Sequence, residues 1–127
     1  MMRPKKLATA ERRECEKAGR QAERAVVWLL RFKGYLILAQ RYRVPVGEID
    51  IVAKRGQTVA FIEVKARATE AAALESVTVR RQQRIARAAL LFLQKNPPHS
   101  NCDLRFDVIT VTQQKWARHH LDDWRES

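Results

Sequence analysis

The chain has 127 residues, 46% of them apolar, which is enough for one domain with its own core and too many for a disordered polypeptide. Its 25 lysines and arginines against 14 acidic residues leave a net charge of +11, the footprint of a partner that is polyanionic, nucleic acid ahead of an anionic membrane or an acidic protein. Cys15 and Cys102 lie in different segments without metal-ligand spacing, which excludes a disulfide framework and a redox motif, and no apolar run approaches a membrane span.

Residues 1–8 read as a basic flexible tail ahead of a single domain over residues 9–127. The tail leads into charged sequence and not into a signal-type apolar core, so a soluble, cytoplasmic protein is expected. Residues 9–33 favour helix, with Thr9 as N-cap and Gly34 as the C-terminal stop. Ala22, Ala25, Val26, Leu29 and Leu30 recur at helical spacing and should be buried. Glu23 flanks that stripe. It is either a third acidic contributor to a nearby site or a solvated glutamate paired with Arg20 or Arg24. Residues 35–43 read as a strand, broken by Val44-Pro45-Val46-Gly47 because proline cannot donate to a sheet.

The next stretch organises the chain. Gly47-Glu48-Ile49-Asp50-Ile51-Val52-Ala53 and Val59-Ala60-Phe61-Ile62-Glu63-Val64-Lys65 alternate apolar and polar residues around a glycine-containing turn, the signature of a β-hairpin. Glu63 and Lys65, two apart, share a face. Pairing Asp50 opposite Glu63 brings Asp50 to the same face and leaves residues 55–58 as a four-residue loop; a slip of one residue sends it to the other side. Two carboxylates and a lysine converging on an apolar strand pair need a partner or a metal, because buried charge is expensive. A hard cation such as Mg²⁺ accepts one or two carboxylates, keeps several waters and can activate one of them against a phosphate. The plainer reading is a solvated strand face with a cross-strand ion pair.

Residues 66–75 are small, polar and alanine-rich and read as a loop. Thr78 should cap a second helix reaching about residue 95, stopped by Asn96-Pro97-Pro98, with Ile85, Ala88, Ala89, Phe92 and Leu93 as its buried stripe. Arg80, Arg84 and Arg87 line another face, as a solvated row or a phosphate-tracking one, and Arg81 in the first turns points toward the hairpin. Lys54 and Arg67, at the hairpin's turn and exit, join them as candidate nucleic-acid contacts. Residues 104–111 form a strand that should run parallel to 59–65 after a right-handed crossover. Asp107 is a further acidic candidate, or more simply a partner of Arg105. In the ambiguous tail, His119 and His120 would face apart and so not share a metal, while Trp116 and Trp124 would cover the core or form a partner surface.

The succession Gly19-Arg20-Gln21-Ala22-Glu23, Lys33-Gly34-Tyr35-Leu36-Ile37-Leu38, Gly47-Glu48-Ile49-Asp50, Phe61-Ile62-Glu63-Val64-Lys65-Ala66-Arg67 and Arg105-Phe106-Asp107-Val108 resembles the bacterial YraN-like family. That family is grouped with the restriction-endonuclease-like nucleases, which include archaeal-type Holliday junction resolvases. The resemblance covers about residues 12–111, with Ala22 where glycine is more usual. It implies an α/β fold with a mixed sheet, an antiparallel hairpin plus a parallel crossover strand, flanked by helices. It further implies that Asp50, Glu63 and the carbonyl of Val64 ligate Mg²⁺ or Mn²⁺, that Lys65 assists the attacking water, and that Glu23 completes the site.

The expected function is therefore metal-dependent hydrolysis of DNA phosphodiesters, on branched or recombination intermediates. Two symmetric cuts across a junction would require a homodimer. The alternative is a nucleic-acid-binding accessory protein on the same fold that does not cleave, because sites can be lost from folds.

Overall fold

The computed structural model describes residues 5–112 and 117–121, and side chains in its first helix at Arg13, Lys17 and from Gly19 onward. The elements in chain order are α1 (Lys5–Phe32), β1 (Leu36–Val44), β2 (Gly47–Arg55), β3 (Thr58–Ala66), α2 (Glu70–Glu75), α3 (Val79–Lys95), a 3₁₀ turn (Pro97–His99), β4 (Asp103–Val111) and β5 (Ala117–His120). The five strands form one mixed sheet in the order β1-β2-β3-β4-β5, antiparallel throughout except for the β3–β4 pair. This α/β architecture matches the expected hairpin followed by a helical crossover.

The caps explain most of the boundaries. The Gly34 N–H donates to the Arg31 carbonyl and the Tyr35 N–H to the Leu30 carbonyl, the paired bonds of a Schellman motif, and Gly34 takes the φ of 92° that such an ending requires. Thr78 starts α3 as expected, its hydroxyl accepting the Arg81 N–H at 3.2 Å. Two expectations shift. Helix α1 begins at Lys5, within the span expected to be a tail, so Thr9 lies inside the helix and is not its first residue. Residues expected to form a loop instead include α2, which Thr69 caps through a bond from the Ala72 N–H, a use of the alanine-rich sequence for helix.

Helices lie on both faces of the sheet, and each face has its own core. Under α1, Val26, Val27, Leu30 and Tyr35 meet Ile51, Ala53, Ala60, Ile62 and Ile109. Under α3, Ile85, Ala88, Ala89 and Phe92 meet Ile49, Val52, Val59, Phe61 and Val108. Of the stripe expected on α1, Ala22, Val26 and Leu30 are buried and Val27 joins them, while Ala25 is exposed and Leu29 is half-buried. Strand β5 resolves the ambiguous tail by pairing with β4. Trp116 and Trp124 lie outside the described residues.

Candidate active site

The hairpin register decides the site. Ile51 faces Ile62, Val52 faces Phe61 and Arg55 faces Thr58, so the same register continued by one residue sets Asp50 opposite Glu63. The connection is tighter than the expected four-residue loop, because the ladder closes down to Gly56 and Gln57, with Gly56 at φ 61°. At the other end the regular ladder stops at Ile51. There the Asp50 carboxylate replaces the backbone acceptor and takes the Val64 N–H at 2.8 Å.

Alternation also breaks at Asp50. Ile49 packs in the core under α3, whereas Ile51, two residues on, packs in the core under α1. Facing Asp50 on β1, between the pairs Gln40–Ile51 and Tyr42–Ile49, is Arg41, whose φ of 50° is in the left-handed region that non-glycine residues rarely adopt. The distortion lets one carboxylate sit at the sheet's end within reach of residues from both helical layers.

Glu63 is almost fully buried, at 2% exposure, and lies on the α3 side with Asp50 and Lys65. Asp50 and Glu63 face each other across the continued hairpin register, close enough that each carboxyl feels the other's charge. Burial first, then the proximity and charge of Glu63, with Glu23 adding its charge, push the Asp50 carboxyl up to about 8. Lys65 Nζ stands 3.8 Å from Glu63 Oε1.

The cation that satisfies this cluster is Arg81. Its Nε and Nη2 donate to the two Glu63 oxygens at 2.7 and 3.2 Å, its Nη1 donates to Glu48 at 2.7 Å, and its Nη2 is 3.8 Å from Asp50. The expectation that Arg81 points toward the hairpin holds, but it is engaged with carboxylates and does not stand in a phosphate-tracking row. The sequence carried a signal for this: Arg81 lies four residues before Ile85, so it continues the buried stripe Ile85-Ala88-Phe92 onto the sheet. An arginine on such a stripe needs an acidic partner.

The other candidates fall apart into groups. Glu23 bonds Arg41 Nε at 3.0 Å and lines an open cleft of about 480 Å³ with Gly19, Arg20, Arg41 and Arg43. The expected partners Arg20 and Arg24 are replaced by an arginine from β1. Glu23 therefore adds its field to Asp50 from the neighbouring cleft. Arg80 and Arg87 are exposed on α3, and Arg84 is half-buried where its backbone meets β2. Lys54 lies at the turn end of β2, four residues from Asp50, and Arg67 folds back on the Ala66 carbonyl at 2.7 Å.

Asp107 is separated from Glu63 by the sheet. It is fully buried and holds Arg105 in a two-pronged pair, with contacts of 2.8 and 2.9 Å, and accepts from His119 Nε2 at 2.7 Å. Lys33 reaches His119 Nδ1 at 2.6 Å, and Arg105 bonds the Tyr35 hydroxyl. This network ties the end of α1 to β4 and β5. His120 turns the other way, to Thr110 and Glu70, so the two histidines do face apart.

Comparison with known proteins places the chain among relatives. The model of the uncharacterised protein family UPF0102 matches residues 22–111, a span that contains Glu23, Asp50, Glu63, Lys65, Arg81 and Asp107. The chain belongs to the UPF0102 family. It is 46% identical over 107 residues to a UPF0102 protein of Parvibaculum lavamentivorans, covering 84% of this chain and 80% of the relative. It is 47% identical over 116 residues to one of Bradyrhizobium diazoefficiens, covering 91% and 87%. This UPF0102 membership agrees with the YraN-like resemblance read from the sequence. Among the described residues no helix is long and apolar enough to cross a membrane.

Among those residues, no three carboxylate, imidazole or thiolate groups converge as a ready-made metal cage. The donor set still fits a hard divalent ion, which takes one or two carboxylates and completes its shell with water and phosphate oxygens. A protonated carboxyl facing a second carboxyl is chemically what such an ion replaces. The proton has its own signature. A carboxyl with a pKa of about 8 in the fold, against about 3.9 in the unfolded chain, stabilises the fold fully at pH below the unfolded value. That contribution is lost progressively as pH rises toward 8. Metal-free protein should therefore lose up to about 1.4 kcal/mol per pH unit across this window, and Asp50→Asn should remove that slope. Denaturant midpoints measured from pH 5 to 8 check it; parallel profiles for the two proteins would place no such proton on Asp50.

Proposed function

We propose that this chain is a metal-dependent nuclease on a restriction-endonuclease-like fold, hydrolysing phosphodiester bonds of DNA in the cytoplasm. The observation that carries the reading is the pair of carboxylates, Asp50 and buried Glu63, brought opposite each other on adjacent strands with Lys65 Nζ 3.8 Å from Glu63. The basic excess supplies affinity for the phosphate backbone.

Asp50 and Glu63 would hold Mg²⁺ or Mn²⁺, with the Val64 carbonyl as a third donor. When bound, the ion supplies an activated water and neutralises charge on the phosphate. Asp50 must give up its proton to take that role. The Val64 N–H keeps its carboxylate oriented, at 2.8 Å. Lys65 is placed to hold the attacking water or to stabilise the phosphate through its ammonium group. Arg81 holds both Glu63 oxygens in place, and its guanidinium is the group that must yield part of its hold on the carboxylates. Glu23 acts from the cleft through its charge. Branched or recombination intermediates are the substrate class this reading favours, and paired cuts on them require two copies of the chain.

The decisive experiment is cleavage of labelled linear, single-stranded and four-way-junction DNA by the full chain with Mg²⁺, Mn²⁺ or EDTA. Cleavage that needs metal supports the reading, and the preferred substrate names its class. Salt-sensitive binding without cleavage in any metal refutes it in favour of a non-catalytic binding protein. One observation favours that second reading: Arg81 already bonds Glu63 and Glu48 and stands 3.8 Å from Asp50. The two are separated by Arg81→Gln. Under the nuclease reading, removing the guanidinium's charge should tighten Mn²⁺ binding roughly tenfold, about 1.4 kcal/mol, as titration calorimetry would record. Unchanged, negligible Mn²⁺ affinity in both proteins would leave the carboxylates as a structural ion-pair cluster.

A further inference from the structure

The charge of the protein is not spread evenly, and one surface concentrates it together with exposed aromatic rings. Lys17, Arg20, Arg24, Trp28, Arg31 and Phe32 succeed one another along α1 at intervals of three or four residues, with Arg31 and Phe32 adjacent at its end, and all six are exposed. That spacing lays them on one side of the helix, opposite Val26 and Leu30 in the core. Among the described residues of α1 between Lys17 and Phe32, the exposed set contains no carboxylate; Glu23 is half-buried and paired with Arg41.

The aromatic residues are unusual for a solvated face. Trp28 is 69% and Phe32 91% exposed, one helical turn apart. The Arg31 guanidinium lies over the Trp28 ring at 5.5 Å, which orients the indole while the ring stays open. Rings of this size left in water are a cost unless something covers them. The cleft lined by Arg20, Arg41 and Arg43, with Glu23 paired to Arg41 at its side, carries this surface toward the Asp50 end of the sheet.

We propose that the outer face of α1 binds single-stranded nucleic acid, its cations following the phosphates and Trp28 and Phe32 stacking against unpaired bases. A duplex has its bases already stacked and offers these rings nothing but its ends, whereas every unpaired base has a free π-face. Charge complementarity selects a polyanion, because among the described residues from Lys17 to Phe32 four cations and no exposed carboxylate share the face with the rings. A lipid surface fits less well: in a membrane-binding helix the cations flank a continuous apolar face, whereas here they occupy the same stripe as two isolated rings. The proposal is independent of whether Asp50 and Glu63 cleave.

The test is fluorescence anisotropy of labelled oligo-dT and of a duplex of equal length, titrated with the full chain and with Trp28→Ala, Phe32→Ala, Trp28→Tyr and Arg24→Gln variants, without divalent metal. The alanine variants should each weaken oligo-dT binding by at least about fivefold and leave the duplex unchanged. Trp28→Tyr, which keeps a ring, should restore most of the loss. Arg24→Gln should weaken both ligands and reduce the salt slope by about one phosphate. Both rings are exposed, so the melting temperature should not move, and a variant that melts early is replaced in the comparison by Trp28→Tyr. Equal losses on both DNAs, or no loss on oligo-dT, overturn the proposal. So does light scattering that finds the alanine variants monomeric where the parent is dimeric, or loss of anionic-vesicle binding with oligo-dT affinity intact.

Discussion

Glu63→Gln is expected to reduce metal-dependent cleavage by more than the roughly hundredfold that losing an outer partner costs a metal site. The amide removes the charge a divalent cation needs while keeping the shape of the carboxylate and one acceptor for Arg81. Glu63→Ala is the less informative change. It would strand Arg81 in a half-buried position with Glu48 as its remaining close partner, a defect of about 3–5 kcal/mol when a buried pair is broken. Activity lost through unfolding would then pass for activity lost through chemistry. Lys65→Met, which keeps the apolar stem and deletes the ammonium, should lower the rate at saturating metal and leave Mn²⁺ affinity near that of the parent. Rates and calorimetry measured on the same preparations check both variants. Parent-like cleavage by Glu63→Gln would sink the assignment of this site.

Gly47→Ala is expected to be the most damaging small substitution in the sheet. A Cβ there would lie 2.0 Å from the Arg84 carbonyl oxygen, 2.7 Å from its carbon and 3.1 Å from its Cα. All three are backbone atoms of α3, so relief requires moving a helix and not a side chain. Overpacking of this kind costs about 3 kcal/mol or more, to be read as a shift in denaturant midpoint at unchanged slope. The consequence reaches the site. Gly47 is where β2 passes directly under Arg84 of α3; it is one residue before Glu48, and Arg84 is one helical turn from Arg81. Whatever stability remains, Gly47→Ala should loosen the Glu48–Arg81 bond; a parent-like midpoint would show that α3 sits less firmly on β2 than this contact implies.

The two effects share an origin. Close approach of α3 to β2 lets a single arginine reach carboxylates on β2 and β3, and the same approach excludes water from Glu63. A cluster in that setting either binds a cation tightly or pays for burial with a proton, and Asp50 carries that proton in the metal-free protein.

What the sequence determined by itself is what depends on neighbours along the chain. Period-two alternation fixed the hairpin and the face shared by Glu63 and Lys65, and the position of Gly56 agreed with the register that sets Asp50 opposite Glu63. Gly34 and Thr78 marked helix ends through bonds within a few residues, and the stripe Ile85-Ala88-Ala89-Phe92 named the buried side of α3. Thr9, the α2 segment and Val27 went astray where local preference was too weak to choose between helix and coil, or where the sheet's width set how much of a helix face is covered.

Only the tertiary structure decided the partners. Arg81 and Glu63 are eighteen residues apart in sequence, as are Arg41 and Glu23, and no periodicity relates them. Arg41's left-handed backbone, the inversion of facing at Asp50 and the separation of Asp107 from Glu63 by the sheet arise from how strands twist and stack. Ionisation follows from the same source: a carboxyl's pKa is set by the water it loses and the charges brought near it, and both are properties of the packed chain.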